Sequence, residues 1–542
     1  MKLFFLFSFV IYLSVLRAGQ PNLTADLIVG STNDFPLRPD PNITMIFNIK
    51  DADPEGHGGA KGDGNTNDAP AIQAWMNKIM KNILTDNNES GGILYFPPGV
   101  YKINSTLLIP PRCTLFGLGG FTQSHAWSND YFKHQSVIIK LADGAECNMV
   151  EPYPINSDPL NIKKEYFTNY ESVIIEGISL FGNKPEKGGS GNLKGIYLPS
   201  NTNALANEDD NYRSNLTISN VLICNIDGYG FYSDNNNKEY FLDNVISRAN
   251  SKDGFYFDNA EDVYLHRVGS GDNGQNGFYF YKSGAMRFTN CDTWGNRQYG
   301  LNIEESYGFL FNIMNVNYNF LAGARIMGSG LITFVNSYFC DNSEADWKNP
   351  SSPEVDILPN INNYGVYGLK FLGCRFGSMS ESNKSLYAVR ENSTNAVIRN
   401  NAFIGCTFIQ KSFKLGICDA QVLDNYIFEG CTGGADGQAE IYNPSAFQNI
   451  EEQANISLKE QNHIISIDNN SSDCTVNLPA ISSVPVGKEY IIIKSRDNIK
   501  LTIAPAANER INNESQLIIP VSLQAFSQIK LLNSGNQWLY IK

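Results

Sequence analysis

The sequence has too little positive charge for a protein that binds nucleic acid through its overall field. Its 41 Lys and Arg residues are outnumbered by 55 Asp and Glu residues, which gives a formal net charge of −14. Because like charges repel at long range, neither nucleic acid nor an anionic membrane is expected as a partner. An acidic polysaccharide would need a local patch of Lys or Arg to bind against this field.

Membrane spans and metal-site motifs are also missing. After residue 20, no stretch reaches the roughly 18 uninterrupted apolar residues that cross a bilayer. The ten cysteines include no CxxC pair and no Cys/His cluster with ligand spacing, so no metal site is predicted. No cofactor is expected. The acidic pairs Glu261 with Asp262 and Asp209 with Asp210 are only weak evidence for a Ca²⁺ site.

The first 19 residues are typical of a cleaved secretory signal. Lys2 precedes an apolar run at residues 3–16, and small residues follow at positions 18 and 19. We therefore expect a protein that is secreted or carried on a cell or virion surface. Residues 20–45, which include Pro36, Pro39 and Pro41, are predicted to be an extended leader. Eleven Asn-x-Ser/Thr sequons lie beyond residue 20 and would accept glycans in a eukaryotic secretory route.

The central part of the chain repeats at a constant interval of 23 residues. Glycines keep this interval, and each opens a short strand in which apolar residues alternate by two. Five asparagines also keep it, at Asn250, Asn273, Asn296, Asn319 and Asn342. Because units of this length bury a core only against their neighbours, the repeat predicts stacked coils, specifically a right-handed parallel β-helix. The asparagines are then predicted to form a ladder along its axis.

Further residues share one slot of the repeat. Four cysteines follow a phenylalanine by three positions and are predicted to be small buried thiols, although a disulfide between neighbouring coils stays open. They are Cys291, Cys374, Cys406 and Cys431. Two irregular stretches, residues 183–214 and 343–363, interrupt the repeat and are predicted to be insertions beside a binding groove.

The residues before the repeat predict a helix that covers the open end of the stack. Asn67 or Asp68 can cap it, and its apolar stripe runs from Ile72 to Ile83. The strings GAKGDGNTNDAPAIQAW and GGILYFPPGVYKINSTLLIPPRCTLFGLGG around this helix resemble the N-terminal segment of the pectate-lyase-like superfamily. The resemblance implies an all-β, right-handed β-helix. It also implies action on a polysaccharide, because the superfamily includes polysaccharide lyases, polygalacturonase-type glycoside hydrolases and phage tailspikes. The chain departs from the usual pattern at Asn67, where an aspartate is typical.

The last part of the chain follows a different pattern. The coil pattern is expected to stop after Gly437, which assigns residues 46–449 to the β-helix and residues 450–542 to a separate module. Short alternating strands at close spacing there predict a small antiparallel β-sandwich. The run VNLPAISSVPVGKEYIIIKSRDN is similar to C-terminal modules of virion fibre proteins, several of which trimerise. That similarity implies a homotrimer as one assembly.

Two outward columns of the repeat carry the candidate functional residues. The strand pattern sends alternate side chains outward. The candidate substrate-binding residues are Tyr232, Tyr256, Tyr279, Tyr281, Asn302 and Arg325, and the candidate catalytic residues are Asp234, Asp258 and Glu304. His266 with Arg267 is an alternative base and clamp for a lyase, although a lone histidine beside a coil corner is more often structural.

Spacing separates the possible carboxylate pairs. Asp258 and Glu304 are two coils apart, about 9 to 10 Å at the usual strand spacing, near the upper limit for an inverting glycosidase. Asp234 and Asp258 are one coil apart, about 4.8 Å, near the value for a retaining enzyme. The sequence therefore predicts a secreted enzyme that cleaves glycosidic bonds of a polysaccharide, as a hydrolase or a lyase. A non-catalytic glycan-binding or virion fibre protein is the alternative.

Overall fold

The computed structural model describes 22 segments of the chain. They are residues 45–85, 91–118, 137–153, 172–185, 191–199, 216–235, 237–343, 351–360, 365–378, 385–392, 401–409, 412–418, 422, 426–433, 439–441, 447–451, 455–458, 464–468, 473–484, 489–494, 500–519 and 527–541, with the isolated residue 422 counted among them. The predicted signal and nearly all of the predicted leader lie outside these segments. Within them, no helix has the length and apolarity needed to cross a bilayer.

The described chain is almost entirely β-structure. The first elements are β1 (Met45–Asn48), β2 (Asp63–Asn67), α1 (Ala69–Thr85), β3 (Gly92–Phe96), β4 (Gly99–Ile103), β5 (Leu107–Ile109), β6 (Cys113–Gly117), β7 (Val137–Leu141), β8 (Val150–Pro152), β9 (Ile174–Glu176), β10 (Ser179–Phe181), β11 (Leu193–Leu198) and β12 (Leu216–Cys224). The next are β13 (Gly228–Ser233), β14 (Tyr240–Arg248), β15 (Phe255–Asp258), β16 (Tyr264–His266), β17 (Gly269–Gly271), β18 (Phe278–Tyr281), β19 (Arg287–Trp294), β20 (Leu301–Glu304), β21 (Tyr307–Asn317), β22 (Ala324–Met327), β23 (Gly330–Val335) and β24 (Tyr338–Cys340).

The later elements are shorter. They are β25 (Val355–Leu358), β26 (Lys370–Leu372), β27 (Arg375–Phe376), β28 (Ser385–Glu391), β29 (Ala402–Ile404), β30 (Thr407–Phe408), β31 (Phe413–Cys418), β32 (Ile427–Glu429), β33 (Cys431–Gly433), β34 (Ala439–Ile441), β35 (Phe447–Glu451), β36 (Asn455–Ser457), β37 (Ile464–Asp468), β38 (Cys474–Asn477), a 3₁₀ turn (Ile481–Ser483), β39 (Glu489–Lys494), β40 (Leu501–Ala504), β41 (Leu517–Ile519), β42 (Ser527–Asn533) and β43 (Trp538–Ile541).

The first compact unit comprises residues up to 180 together with residues 215–221. Its strands pair in parallel in three series: β1, β3, β6, β9 and β12; β2, β4 and β7; and β5 with β8. Helix α1 packs against β3, β4 and β5. The Ile79 side chain lies so close to Gly92 that a Cβ there would come within 2.6 Å of it. The predicted capping helix is therefore present, with Ile72, Ile79 and Ile83 fully buried.

The second compact unit comprises residues 181–214 and 222–542. Its coils build three parallel sheets. Sheet 1 contains β11, β13, β15, β18, β20, β22, β25, β28 and β31. Sheet 2 contains the first half of β14, β16, the first halves of β19 and β21, and then β23, β26, β29 and β32. Sheet 3 contains the second half of β14, β17, the second halves of β19 and β21, and then β24, β27, β30 and β33. The predicted right-handed parallel β-helix is confirmed.

One residue in left-handed conformation turns each coil from sheet 2 to sheet 3. Asn244, Arg267, Asn290, Ile313 and Asn336 fill this corner at the 23-residue interval, with φ between 47° and 57°. Asparagine tolerates this conformation, whereas a β-branched isoleucine rarely adopts it. Glycines fill the same kind of corner in later coils, for example Gly373 with φ 61°.

Stacked phenylalanines fill the interior. Phe288 and Phe311 stack with ring centroids 4.5 Å apart, and Phe311 and Phe334 repeat this distance one coil further on. On the other side of the core, Phe255 stacks on Phe278 at 4.9 Å. All five side chains are at most 1% exposed. The four cysteines predicted to share one slot are buried free thiols in this core, and all ten cysteines of the chain are free.

The predicted asparagine ladder runs through the turn before each strand of sheet 1. The side-chain Nδ2 of Asn250, Asn273, Asn296 and Asn319 each donates to Oδ1 of the next asparagine at 2.9 Å. The backbone N–H of each donates to the same oxygen. Asn342 ends the ladder by donating to the buried carboxylate of Glu354. Each rung therefore satisfies two buried donors.

The ladder also explains the repeating glycines. A Cβ on Gly277 would lie 2.1 Å from Oγ1 of Thr293 and 2.8 Å from Nδ2 of Asn296. Gly254 and Gly300 face the same obstruction from the equivalent asparagine. The amide and hydroxyl groups thus occupy the space that any larger residue would need.

The C-terminal strands differ from the prediction. Strands β35 to β40 alternate between two sheets, and within each sheet successive strands are parallel: β35, β37 and β39 in one, and β36, β38 and β40 in the other. Only β41, β42 and β43 add in antiparallel orientation. The two sheets enclose a shared core that includes Tyr490 and Trp538. The expectation of an antiparallel sandwich was wrong for β35 to β40, because alternation by two is the same in parallel and antiparallel strands.

We predict that Asn296→Ala lowers the free energy of unfolding by about 3 kcal/mol, because the change leaves buried donors of Asn273 without an acceptor. Chemical denaturation followed by circular dichroism measures this loss. Asn312→Ala, on the outer side of the same coil region, is the matched control and is expected to change stability little. Equal losses in the two variants would contradict a structural role for the ladder.

Candidate functional site

The outward face of sheet 1 brings the predicted site residues together in two columns. The tyrosine column consists of Tyr232, Tyr256, Tyr279, Asn302 and Arg325, each paired in register with the next. In the carboxylate column, Asp258 pairs with Tyr281, which pairs with Glu304. Asp234 lies one position beyond the paired Ser233 and Phe257, at the start of this column. The spacing of these residues along the sequence therefore predicted correctly that they share one face of a sheet.

Aromatic rings form a continuous strip along the tyrosine column. Tyr232 and Tyr256 stack with centroids 4.5 Å apart and planes 2° from parallel, whereas Tyr256 and Tyr279 meet edge to face at 5.0 Å. Burial raises the pKa of Tyr256 well above its usual range, and the neighbouring Tyr232 and Tyr279 raise it further. Burial likewise raises the pKa of Tyr279. These phenols therefore stay protonated at neutral pH and keep their hydroxyl groups as hydrogen-bond donors.

The two aspartates at one end of the carboxylate column differ in their surroundings. Asp234 accepts from the Tyr197 hydroxyl at 3.2 Å and from the Asn235 backbone N–H at 2.9 Å. Burial raises the pKa of Asp258, the charge of Asp234 raises it further, and Lys282 opposes both effects. The net effect of these surroundings is a pKa for Asp258 above its ordinary value.

Glu304 is held by residues of the tyrosine column. The Tyr279 hydroxyl donates to Oε2 of Glu304 at 3.0 Å, and Nη1 of Arg325 lies 3.7 Å from the same oxygen. Arg325 also donates to Oδ1 of Asn302 at 3.1 Å, and Asn302 is only 5% exposed. These contacts fix the direction of the Glu304 carboxylate across the face of sheet 1.

Sequence reasoning missed residues at both ends of the columns. Tyr197 of β11 pairs with Tyr232, and Asp356 of β25 pairs with Arg325 and then with Arg390. Both strands lie inside the stretches expected to be insertions, so that expectation was wrong for residues 193–198 and 355–358. The string LKGIYL has the same alternation of residue types as GYGFYS in β13, and this likeness could have identified β11 as a strand of the sheet. The strand was missed because its distance along the chain from β13 differs from the 23-residue interval.

A buried acid lies beside the tyrosine strip. Asp253 is 1% exposed, and its Oδ1 accepts from the Asn276 backbone N–H at 2.7 Å and from Asn276 Nδ2 at 2.8 Å. Burial raises the pKa of Asp253 to about 7, although these hydrogen bonds oppose the rise. Asp253 was interpreted from sequence as a turn residue that satisfies backbone groups, and its bond from the Asn276 N–H agrees with that.

Carboxylates do not gather into a metal-binding group anywhere in the described segments. Within those ranges, no three His, Cys, Asp or Glu side chains could together hold a metal ion. Glu261, one of the acids considered for calcium, pairs with Lys238 at 2.7 Å and accepts from the Tyr307 hydroxyl at 3.2 Å. Asp209 and Asp210 lie outside the described residues.

Comparison with known proteins links the chain to one sequence family. The sequence model described as "Rhamnogalacturonase A/epimerase, pectate lyase-like" matches residues 47–343. Mannuronan C5-epimerases AlgE1 and AlgE3 of Azotobacter vinelandii are each 24% identical over 217 residues, which is 40% of this chain. The match spans only 13% and 10% of the length of those two relatives.

Solved structures with a similar fold include two kinds of protein. The A-module of mannuronan C-5 epimerase AlgE6 from Azotobacter vinelandii is 19% identical, with a TM-score of 0.47, covering 72% of this chain and 99% of that module. Tailspike protein 2 from the Escherichia coli O157:H7 bacteriophage CAB120 is 13% identical, with a TM-score of 0.49, covering 72% of this chain and 47% of the tailspike.

We predict that Asp253 makes folding stability depend on pH. Its folded-state pKa of about 7 lies above the ordinary value of 3.8. The stability from its protonated form is therefore fully present below about pH 4 and is lost as the pH rises through 7. Asp253→Asn keeps the accepting oxygen but removes the titration, so the melting temperature of the variant relative to the wild type should rise across this interval. Melting curves measured from pH 4 to pH 8, with Asp262→Asn as control, test this. A constant difference between variant and wild type would contradict it.

Proposed function

The chain belongs to the rhamnogalacturonase A/epimerase, pectate lyase-like family, and from this premise we propose that it cleaves glycosidic bonds of a polysaccharide bound along the outward face of sheet 1. The observation that carries the proposal is the side-by-side arrangement of an aromatic column and a carboxylate column in register. We also propose that the protein is exported, on the basis of its first 19 residues.

The tyrosine column suits a sugar chain that runs along the axis of the coils. Successive strands of a sheet are about 4.8 Å apart, which is close to the length of one pyranose unit. The rings of Tyr232, Tyr256 and Tyr279 can therefore contact successive sugars, and the hydroxyl groups of Tyr232 and Tyr256 can donate to sugar oxygens. Lys194 adds a cation 5.0 Å from the Tyr197 ring, at the edge of the same strip.

Asp258 is the proposed general acid. A raised pKa allows a carboxyl to stay protonated and to protonate the leaving glycosidic oxygen. Two carboxylates can complete the reaction. Glu304, two coils away and directed by Tyr279 and Arg325, would activate a water molecule for inversion. Asp234, one coil away and held by Tyr197, would act as the nucleophile for retention.

A lyase is the second candidate reaction, and Arg325 favours it. A guanidinium close to the carboxylate column could hold the carboxylate of an acidic sugar while a neighbouring base removed a proton. Ca²⁺ would then be a further requirement to test. A binding protein or homotrimeric fibre would use the same aromatic strip without the chemistry, and a virion or cell-surface location would suit it.

We predict that Asp258→Asn lowers the rate of polysaccharide cleavage about a thousandfold, because it removes the proposed general acid, and that Glu304→Gln does the same if Glu304 is the base. Incubation with a panel of polysaccharides, with and without Ca²⁺, is followed by assays for reducing ends and for the absorbance of unsaturated products. Hydrolysis gives only the first signal, a lyase gives both, and a binder gives neither.

Asp262→Asn, at a coil corner beside sheet 2, is the matched control and should keep full activity. All three variants should keep the wild-type melting temperature, because none of these side chains lies in the core. Full activity in both Asp258→Asn and Glu304→Gln would overturn the site assignment.

The stereochemistry of the product distinguishes the two partner carboxylates. If Glu304 serves as the base, NMR spectra recorded early in hydrolysis should show the inverted anomer, and Asp234→Asn should retain most of the activity. If Asp234 is the nucleophile, the product should keep the anomeric configuration of the substrate, and Asp234→Asn should be inactive.

A further inference from the structure

Sheet 2 carries a second outward surface, on different strands from the proposed cleavage site. Its first column pairs Phe241 with Tyr264, Tyr264 with Arg287, and Arg287 with Leu310. The apolar members are strongly exposed: Phe241 by 46%, Tyr264 by 40% and Leu310 by 40%. An in-register row of exposed rings and aliphatic groups is unusual on a solvated surface and is typical of a binding site.

A cluster of charged and polar side chains adjoins this row. Asp243 pairs in register with His266, and its Oδ1 lies 2.9 Å from Nδ1 of that histidine. Arg267, in the left-handed corner after His266, donates to both oxygens of Asp243, at 2.9 and 3.1 Å. The His266 and Arg267 side chains remain 41% and 53% exposed. Asp243 thus orients two exposed side chains toward one side of the row.

Arg287 is oriented in the same way by Tyr264. Nη1 of Arg287 donates to the Tyr264 hydroxyl at 2.6 Å, and the guanidinium lies 5.2 Å from the centre of the Tyr264 ring. These contacts leave other N–H groups of Arg287 available. In the described part of the chain, Arg267 Nη1 likewise makes no hydrogen bond, whereas the oxygens of Asp243 are already used. Because His266 Nδ1 donates to Asp243, its Nε2 accepts in the neutral ring and donates only when the ring is protonated. The groups this surface offers to a ligand are therefore mainly donors.

Asp243 pairs with Arg267, whereas no acid of the described segments forms an ion pair with Arg287. Glu261 is paired with Lys238 at 2.7 Å, and Asp262 lies at the corner before β16. The guanidinium groups of Arg267 and Arg287 are held in place by Asp243 and Tyr264. A guanidinium binds a carboxylate through paired hydrogen bonds, so these groups are suited to a ligand that carries carboxylates. A ligand that stacks on Tyr264 and brings carboxylates would satisfy both parts of the surface.

From this arrangement we propose that Phe241, Tyr264, His266, Arg267 and Arg287 form a second binding site, which takes a carboxylate-bearing polysaccharide. The sugar rings lie on Phe241 and Tyr264, and their carboxylates face the guanidinium groups. The site needs no cleavage at sheet 1, so it holds whether or not the proposed enzyme activity is found. It gives His266 and Arg267, considered from sequence as a lyase pair, a binding role instead.

The test is calorimetric titration with a short oligogalacturonate and with a neutral galacto-oligosaccharide of equal length. The measurements use the full chain carrying Tyr256→Ala, which weakens any binding to sheet 1. We expect the acidic oligomer to bind this protein and the neutral one to bind at least several-fold more weakly. Adding Arg287→Gln should lower the affinity for the acidic oligomer about fivefold, as expected for one exposed charge contact, and adding Tyr264→Ala should lower it further.

Arg510→Gln, at an exposed arginine between β40 and β41, is the matched charge control and should leave the affinity unchanged. Circular dichroism and melting curves of each variant establish that it is folded. The proposal is overturned if no acidic oligomer binds the Tyr256→Ala protein, or if the neutral oligomer binds equally well. It is also overturned if Arg287→Gln and Arg510→Gln have the same effect. Loss of cleavage with binding retained would overturn only the proposed function.

Discussion

The whole architecture depends on parallel strands that stack in register at a fixed interval of chain. Once each coil returns to the same position, a residue type that works in one slot works again in the next, whether as a stacked ring, a left-handed corner or a hydrogen-bonded amide. The buried amides show how strict this requirement is. Asn273 both accepts from Asn250 and donates to Asn296, so its contribution exists only while both neighbours are in place.

This regularity decides what the sequence could reveal. Wherever the interval of 23 residues held, residue counting placed Tyr256, Tyr279 and Glu304 on one face, and the register confirms that placement. Where the interval changed, residue counting failed. Leu193–Leu198 and Val355–Leu358 are strands of the same sheet, but they are separated from the neighbouring strands by chain segments of other lengths. The C-terminal strands failed for another reason, since their apolar alternation carries no information about direction. Only the distance along the chain between paired strands could have given it.

The position of the candidate site could be predicted from the sequence better than its chemistry could. A column of acids can be counted from sequence, but their environments cannot. Asp234 and Asp258 occupy equivalent slots, yet Asp234 is held by Tyr197, from a strand that was not foreseen, whereas burial raises the pKa of Asp258. The cluster around His266 shows the same limit. The pair His266 and Arg267 is visible in the sequence, whereas Asp243, which orients both, lies one full coil earlier.

The amide ladder has a consequence for how such a chain can change in length over evolution. Each rung has the same donor on one side and the same acceptor on the other, so duplicating one whole coil inserts a new rung that fits between its neighbours. An insertion of a few residues inside a coil has no such solution unless it loops out at a corner. Growth by complete repeats, and variation confined to the corners, is therefore the route that this arrangement leaves open to natural selection.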